Sequence, residues 1–159
     1  MSSSPTQDSV WDYPRPPRLE PTSQRVQIWF NQVMIADTCR AQRVLETSHP
    51  PTYYLPPDDV QMQYLIPSPR QSFCEWKGVA AYYSVEVNEQ RAENAAWAYP
   101  SPTLNFEPIR DYLAFYPSRM ALCKVDGETV EAQPGDFYGG WITANIVGPF
   151  KGSPGTLGW

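Results

Sequence analysis

Proline does most to limit what this chain can fold into. Eighteen of its 159 residues are proline, about twice the usual share of ~5%. Proline lacks the backbone N–H and clashes with the preceding turn, so it breaks helix interiors. It also pushes the residue before it into an extended conformation. The prolines are scattered from Pro5 to Pro154, which leaves little room for long helices and excludes a helical bundle. Aromatic residues make up 14% and hydrophobic residues 42%, so there is material for a core and a wholly disordered chain is excluded. One domain of mainly β structure is expected, with a few short helical turns.

Short strands bounded by turn residues bear this out along the chain. Val26–Phe30 and Val33–Ala36 flank Asn31-Gln32 and read as a hairpin, with the second strand continuing through Thr38–Glu46. Thr52–Leu55 is a strand bracketed by prolines, and Gln61–Ile66 is another, stopped by Pro67. In Val79–Val87, the residues Val79, Ala81, Tyr83, Val85 and Val87 alternate with Ala80, Tyr82, Ser84 and Glu86. That is the pattern of a half-buried antiparallel strand. Ala95–Tyr99 is a further strand, and a short turn leads to one at Tyr112–Tyr116. Asp126-Gly127 between two alternating runs is the strongest hairpin signal, because both turn residues need positive φ.

Composition shifts divide the chain in three. Residues 1–24 read as a disordered tail followed by a proline-rich arm. Residues 25–134 form the β-rich body. Seven of the nine glycines fall in 135–159, an aromatic-rich extension expected to pack Phe137, Tyr138, Trp141, Phe150 and Trp159 onto the body.

The net charge is −5 and only Lys77, Lys124 and Lys151 are lysines. Nucleic-acid binders carry basic surfaces, so nucleic acid and anionic membranes are not expected partners. The N-terminus has no apolar signal region, and no run nears the ~18 apolar residues of a membrane span. Three widely spaced cysteines, Cys39, Cys74 and Cys123, fit a reducing compartment better than a disulfide framework. A cytoplasmic protein is expected. With one histidine and no C-x-x-C pair, neither a metal site nor a cofactor is expected. Lys151-Gly152-Ser153 reverses the order of a phosphate loop and is a chance match.

Two places concentrate chemistry. His49, the one side chain that ordinarily titrates near neutrality, precedes Pro50-Pro51, with Glu46 three residues upstream. It reads as an acid–base group oriented by a carboxylate, or as a histidine bonding loop backbone. Cys74 lies three residues from Lys77. The pair would converge only across a turn, which Gly78 permits; otherwise Cys74 is simply buried. Arg40 and Arg43 read as an anion clamp, or as surface partners of Asp37, Glu46 or Asp58. Tyr53, Tyr54, Tyr82, Tyr83, Trp97 and Tyr99 fall on β segments, where tyrosine tips could line a ligand pocket.

The run Ala36-Asp37-Thr38, Arg40-Ala41, Val44–Thr47 and Pro50–Val60 resembles the bacterial and fungal domain-of-unknown-function 427 family. So do Cys74, Lys77-Gly78, Ala81-Tyr82, Ala96–Pro100 and Tyr112–Tyr116. The resemblance runs from about Arg25 to Val125. The proline-rich arm and the Gly-Gly-Trp tail look like a longer variant. It implies a compact curved antiparallel sheet or small barrel around a polar-aromatic pocket, with kinship to the β-tent folds but without their zinc ligands. A nucleotidyltransferase-type label attaches to the family. The chain has no Gly-Ser followed by paired aspartates, so the label is not carried over as an activity. The expected site has His49, Glu46 and Cys74 as catalytic candidates and Arg40, Tyr54, Lys77, Trp97 and Tyr99 as ligand-binding residues. The leading functional expectation is a small, anionic ligand bound in that pocket. The alternatives are an enzyme using His49 and Glu46 as acid–base, or an interaction module using the arm and tail. Nothing in the residues sets the oligomeric state.

Overall fold

The computed structural model describes residues 7–135 and 137–159. The protein is mainly β, with five sheets among the described residues and helical segments that are all short 3-10 turns. Of the expected N-terminal tail, residues 1–6 lie outside the described residues. Asp8–Ser9 forms a short parallel pair with Ile146–Val147. All other strand pairs are antiparallel.

The largest sheet runs in the order Ala114–Phe115, Gln90–Ala98, Gly78–Val87, Leu65–Cys74. A second four-stranded sheet orders Glu128–Thr129, Leu122–Val125, Val26–Phe30 and Val33–Thr38. A third joins Arg18–Pro21, Gln42–Leu45 and Thr52–Tyr54, and Glu131–Ala132 pairs with Trp141–Ile142. The sheets stay open, and none closes into the barrel entertained from sequence.

Both predicted hairpins form. Asn31 and Gln32 have φ of 46° and 67°, and Asp126 and Gly127 have 49° and 82°. Paired positive φ matches the right-handed twist of the flanking strands. The second strand does not continue through Thr38–Glu46. It stops at Thr38, whose hydroxyl accepts the Arg40 N–H at 2.9 Å, and the chain leaves for the third sheet at Gln42. Such a local side-chain bond competes with the ladder. Pro67 does not stop its strand either. Leu65–Cys74 runs through Pro67 and Pro69 with an irregularity between Pro67 and Gln71. It is an edge strand, where a missing N–H costs no ladder bond.

The mixed face of Gly78–Val87 is not turned to solvent. Val85 and Val87 enter the main core with Ile28, Leu55, Phe115 and Trp141. Ala80 and Tyr82 enter a second buried cluster with Tyr54, Trp97, Tyr99 and Phe106. Neighbouring Gln90–Ala98 divides likewise: Ala96 and Ala98 face the first cluster, and Trp97 faces the second. Strand alternation therefore gives the sheet two buried faces. The second, aromatic face carries the candidate site.

Candidate functional site

A cavity of about 510 Å3 opens over the aromatic cluster, within the ordinary range for small-molecule sites. Seven of the eight expected site residues line it: Glu46, His49, Tyr54, Cys74, Lys77, Trp97 and Tyr99.

Different local devices deliver them, in pairs. Glu46 and His49 share one turn, closed by the His49 N–H donating to Glu46 O at 3.0 Å, with Ser48 at φ 71°. The proline-rich arm clasps that turn. The Ser48 N–H donates to Val10 O at 3.0 Å and the Thr47 N–H to Pro14 O at 3.2 Å. Cys74 and Lys77 flank a hairpin turn in which Cys74 pairs with Gly78, whose φ is 110°. This is the convergence that glycine makes possible. Thr103 pins the turn, its N–H donating to Lys77 O at 3.1 Å and its hydroxyl to Trp76 O at 2.6 Å. Tyr54 and Trp97 come from strands of two sheets and meet edge-on, with ring centroids 6.3 Å apart.

The Lys77 side chain is buried, at 8% exposure. Its ammonium lies 5.9 Å from the Tyr99 ring and 5.8 Å from the Phe106 ring. It forms no ion pair among the described residues. Burial alone would lower its pKa, but the groups around it, Tyr54, Cys74 and Glu46, raise it on balance. Burial raises the Tyr54 and Tyr99 phenols, and both stay neutral. Cation–π contact stabilises a lysine by about 0.5–2 kcal/mol, less than a buried charge costs to desolvate. An incoming anion would meet an ammonium with no existing pair to break.

His49 sits in a defined network. The Gly140 N–H donates to Gln133 Oε1 at 3.0 Å, which orients the amide. Gln133 Nε2 then donates to Lys151 O at 2.8 Å and to His49 Nδ1 at 3.0 Å. With Nδ1 accepting, the network assigns the ring proton to Nε2. That nitrogen faces Glu46 Oε2 at 3.7 Å. Glu46 is in turn held by Arg15 at 3.3 Å. Burial, then Lys151, Arg15 and Lys77, push the His49 pKa from the ordinary 6.5 down to about 4. His49 is therefore a neutral donor at pH 7 and not the neutral-pH titrating group expected from its type.

Arg40 is not brought to the cavity. Its guanidinium is exposed and bonded to Asp59 through Nη2 at 3.0 Å and Nε at 3.2 Å. Arg43 pairs with Glu20. A carboxylate at fork geometry satisfies a guanidinium bidentately, and Asp59, nineteen positions downstream, takes Arg40 that way. Arg40, expected among the ligand-binding residues, thus lies apart from the cavity that the other seven line.

The cavity has a second wall that the expected site did not include: Gln133 at the end of the body, and Phe137, Tyr138, Gly139 and Lys151 of the extension. Tyr138 packs edge-on against His49 at 4.8 Å, and the Lys151 ammonium stands 5.4 Å over Tyr138. A Cβ on Gly139 would lie 2.3 Å from the Trp97 ring. One on Gly140 would lie 2.5 Å from Pro50. Adjacent glycines outside a turn, beside a tryptophan, were the available signal of close approach.

Among the described residues, no three of His, Cys, Asp and Glu gather as a metal site needs. No described helix is long and apolar enough to cross a membrane. No curated protein matches the chain. A family model described as "Domain of unknown function (DUF427)" matches residues 18–126. These include the strands and turns that carry Glu46, His49, Tyr54, Cys74, Lys77, Trp97 and Tyr99, and stop short of the extension. The match spans more than half of the chain, and the protein belongs to this family of unknown function.

Proposed function

We propose that the protein binds a small anionic molecule in the polar-aromatic cavity. One observation carries the reading: two ammonium groups, Lys77 and Lys151, line a cavity walled by aromatic rings, and neither forms an ion pair among the described residues. Lys77 supplies charge, the His49 Nε2–H supplies a neutral donor, and Trp97 and Tyr54 supply flat apolar surface. Three unpaired cysteines suit a reducing compartment, and we place the protein in the cytosol.

A thermal-shift screen of phosphates, nucleotides and carboxylates tests this. A ligand at a hundred times its Kd stabilises the native state by about 2.7 kcal/mol. At least one anion should raise the wild-type melting temperature. Lys77→Met, which keeps the stem packed on Tyr99, should abolish the shift, and Arg40→Ala should retain it. If no anion shifts the wild type, or if Lys77→Met responds like the wild type, the reading fails.

A second reading, an enzyme in which Glu46 accepts a proton, is favoured by the Glu46 carboxylate lining the cavity 3.7 Å from His49 Nε2. Turnover that disappears in Glu46→Gln while ligand binding persists would support it. Binding without turnover of any bound compound counts against it.

A further inference from the structure

The family match ends at residue 126, yet the cavity wall continues past it to Lys151. The extension that carries this wall is anchored at its centre. Trp141 is fully buried; its indole N–H donates to Phe115 O at 3.1 Å and its backbone N–H to Pro51 O at 2.8 Å. Lys151 is tied down as well. Its backbone N–H donates to Ser48 O at 2.9 Å, and its carbonyl accepts from Gln133 at 2.8 Å. Its ammonium lies over Tyr138, which packs on His49. The Lys151 backbone is therefore fixed on both sides, and its ammonium stands over an aromatic ring of the cavity wall.

The cavity lining carries two carboxylates and two ammonium groups, but the carboxylates are engaged elsewhere or exposed. Glu46 is engaged by Arg15, and Glu75 is exposed at the mouth. Lys77 and Lys151 remain without ion-pair partners among the described residues. One negative charge on a ligand would match one ammonium and leave the other uncompensated in an aromatic setting, where an unpaired charge is costly. Two negative charges match both. The walls of Tyr54, Tyr82, Trp97 and Tyr138 favour a flat ring as the body of the ligand.

We propose that the C-terminal extension makes the pocket selective for dianionic ligands, a phosphate monoester or a dicarboxylate on an aromatic ring, by adding the Lys151 ammonium to that of Lys77. This rests on the anion-site reading of the pocket. In the family-matched part of the chain Lys77 alone would supply cavity-lining ammonium; the extension adds the second charge and thereby sets which anions are preferred.

The test titrates the full chain with phenyl phosphate, isophthalate and benzoate, read by calorimetry at low salt. A pH of about 7.5 lies above the second phosphate pKa of about 6. Wild type should bind at least one of the two dianions about tenfold more tightly than benzoate, the scale of one added charge-assisted hydrogen bond. In Lys151→Gln that ratio should fall to about one, and Lys151→Arg should restore it. Lys151→Met, which keeps the stem over Tyr138, guards against a folding artefact in Lys151→Gln. Which dianion wins separates phosphate from dicarboxylate. If wild type binds all three compounds equally, or if both neutral variants keep the ratio, the inference is overturned while the anion-site reading stands. If wild type binds none of them, both fall.

Discussion

The two walls of the cavity are built by different means. The body wall carries Tyr54, Trp97 and Tyr99 on or beside strands, and Lys77 in a hairpin turn. Strand periodicity dictates which of these side chains face inward. The extension wall carries Tyr138 and Lys151, with Gln133 from the end of the body beside them, on chain that is largely irregular. It is held by Trp141 in the core and by Gly139 and Gly140 pressed against Trp97 and Pro50. The first wall depends on register and the second on a few long-range contacts. The extension wall should therefore fail more readily, and by single substitutions.

The largest effect separating the walls should come from Trp141→Ala. Deleting a fully buried tryptophan costs about 3–5 kcal/mol. Urea unfolding should show a loss on that scale, and proteolysis of the folded variant should begin in residues 135–159. Cleavage starting in the body instead would contradict the two-wall picture.

The seam between the walls has a pH signature. His49 belongs to the body but is wired to Gln133 of the opposite wall. Its pKa falls from 6.5 unfolded to about 4 folded, so the unfolded state takes up the proton first as pH drops. Stability is complete above pH 6.5 and is lost as pH falls towards 4, by about 3 kcal/mol. Three carboxylates among the described residues have lowered values: Asp37 and Asp59 start from an ordinary 3.8 and lose their stabilisation below this window, and the exposed Glu107, held down by Arg110, starts from 4.5 at its acid end. Urea melts from pH 7.5 to 4 should show the loss in wild type and a flatter curve in His49→Gln. Equal slopes would mean that His49 is not held neutral.

Gly139→Ala tests close approach alone. The added methyl overlaps the Trp97 ring, and overpacking of this kind costs about 1–3 kcal/mol. The variant should bind anions more weakly as well, since displacing the extension moves Tyr138 and Lys151. Wild-type stability would show that the contact yields freely. Arg40→Ala, on neither wall, should be the mildest. Its exposed pair with Asp59 contributes little, and binding should match wild type.

The same contrast explains what the amino-acid sequence disclosed. The Asp126-Gly127 hairpin was legible because its turn demands positive φ at both positions, a local requirement. Tyr54, Trp97 and Tyr99 were legible from the family motifs and from their place in β segments. The pocket-facing side of Gly78–Val87 was harder to see, because a mixed face next to an apolar one normally means solvent. Here a second aromatic cluster covers it and puts Tyr82 on the cavity. The packing of Tyr138 on the body was expected from the aromatic-rich extension, but its place against His49, and the places of Gln133 and Lys151, were illegible, since no local rule places residues on irregular chain. Arg40 misled for a related reason: its partner Asp59 lies on a separate turn, and nothing local joins them.

The central claim is that Lys77 and Lys151 together face a bound anion. The chain has three lysines, so the claim can be read group by group. Reductive methylation with a carbon-labelled methyl donor retains each charge and gives each lysine its own resonance, beside that of the α-amine. On titration with phenyl phosphate, the Lys77 and Lys151 signals should shift together and saturate at one common affinity. Lys124, which lies over Trp29 on the second sheet, should stay in place. Three signals moving alike, or none moving while the ligand is bound, would contradict the account.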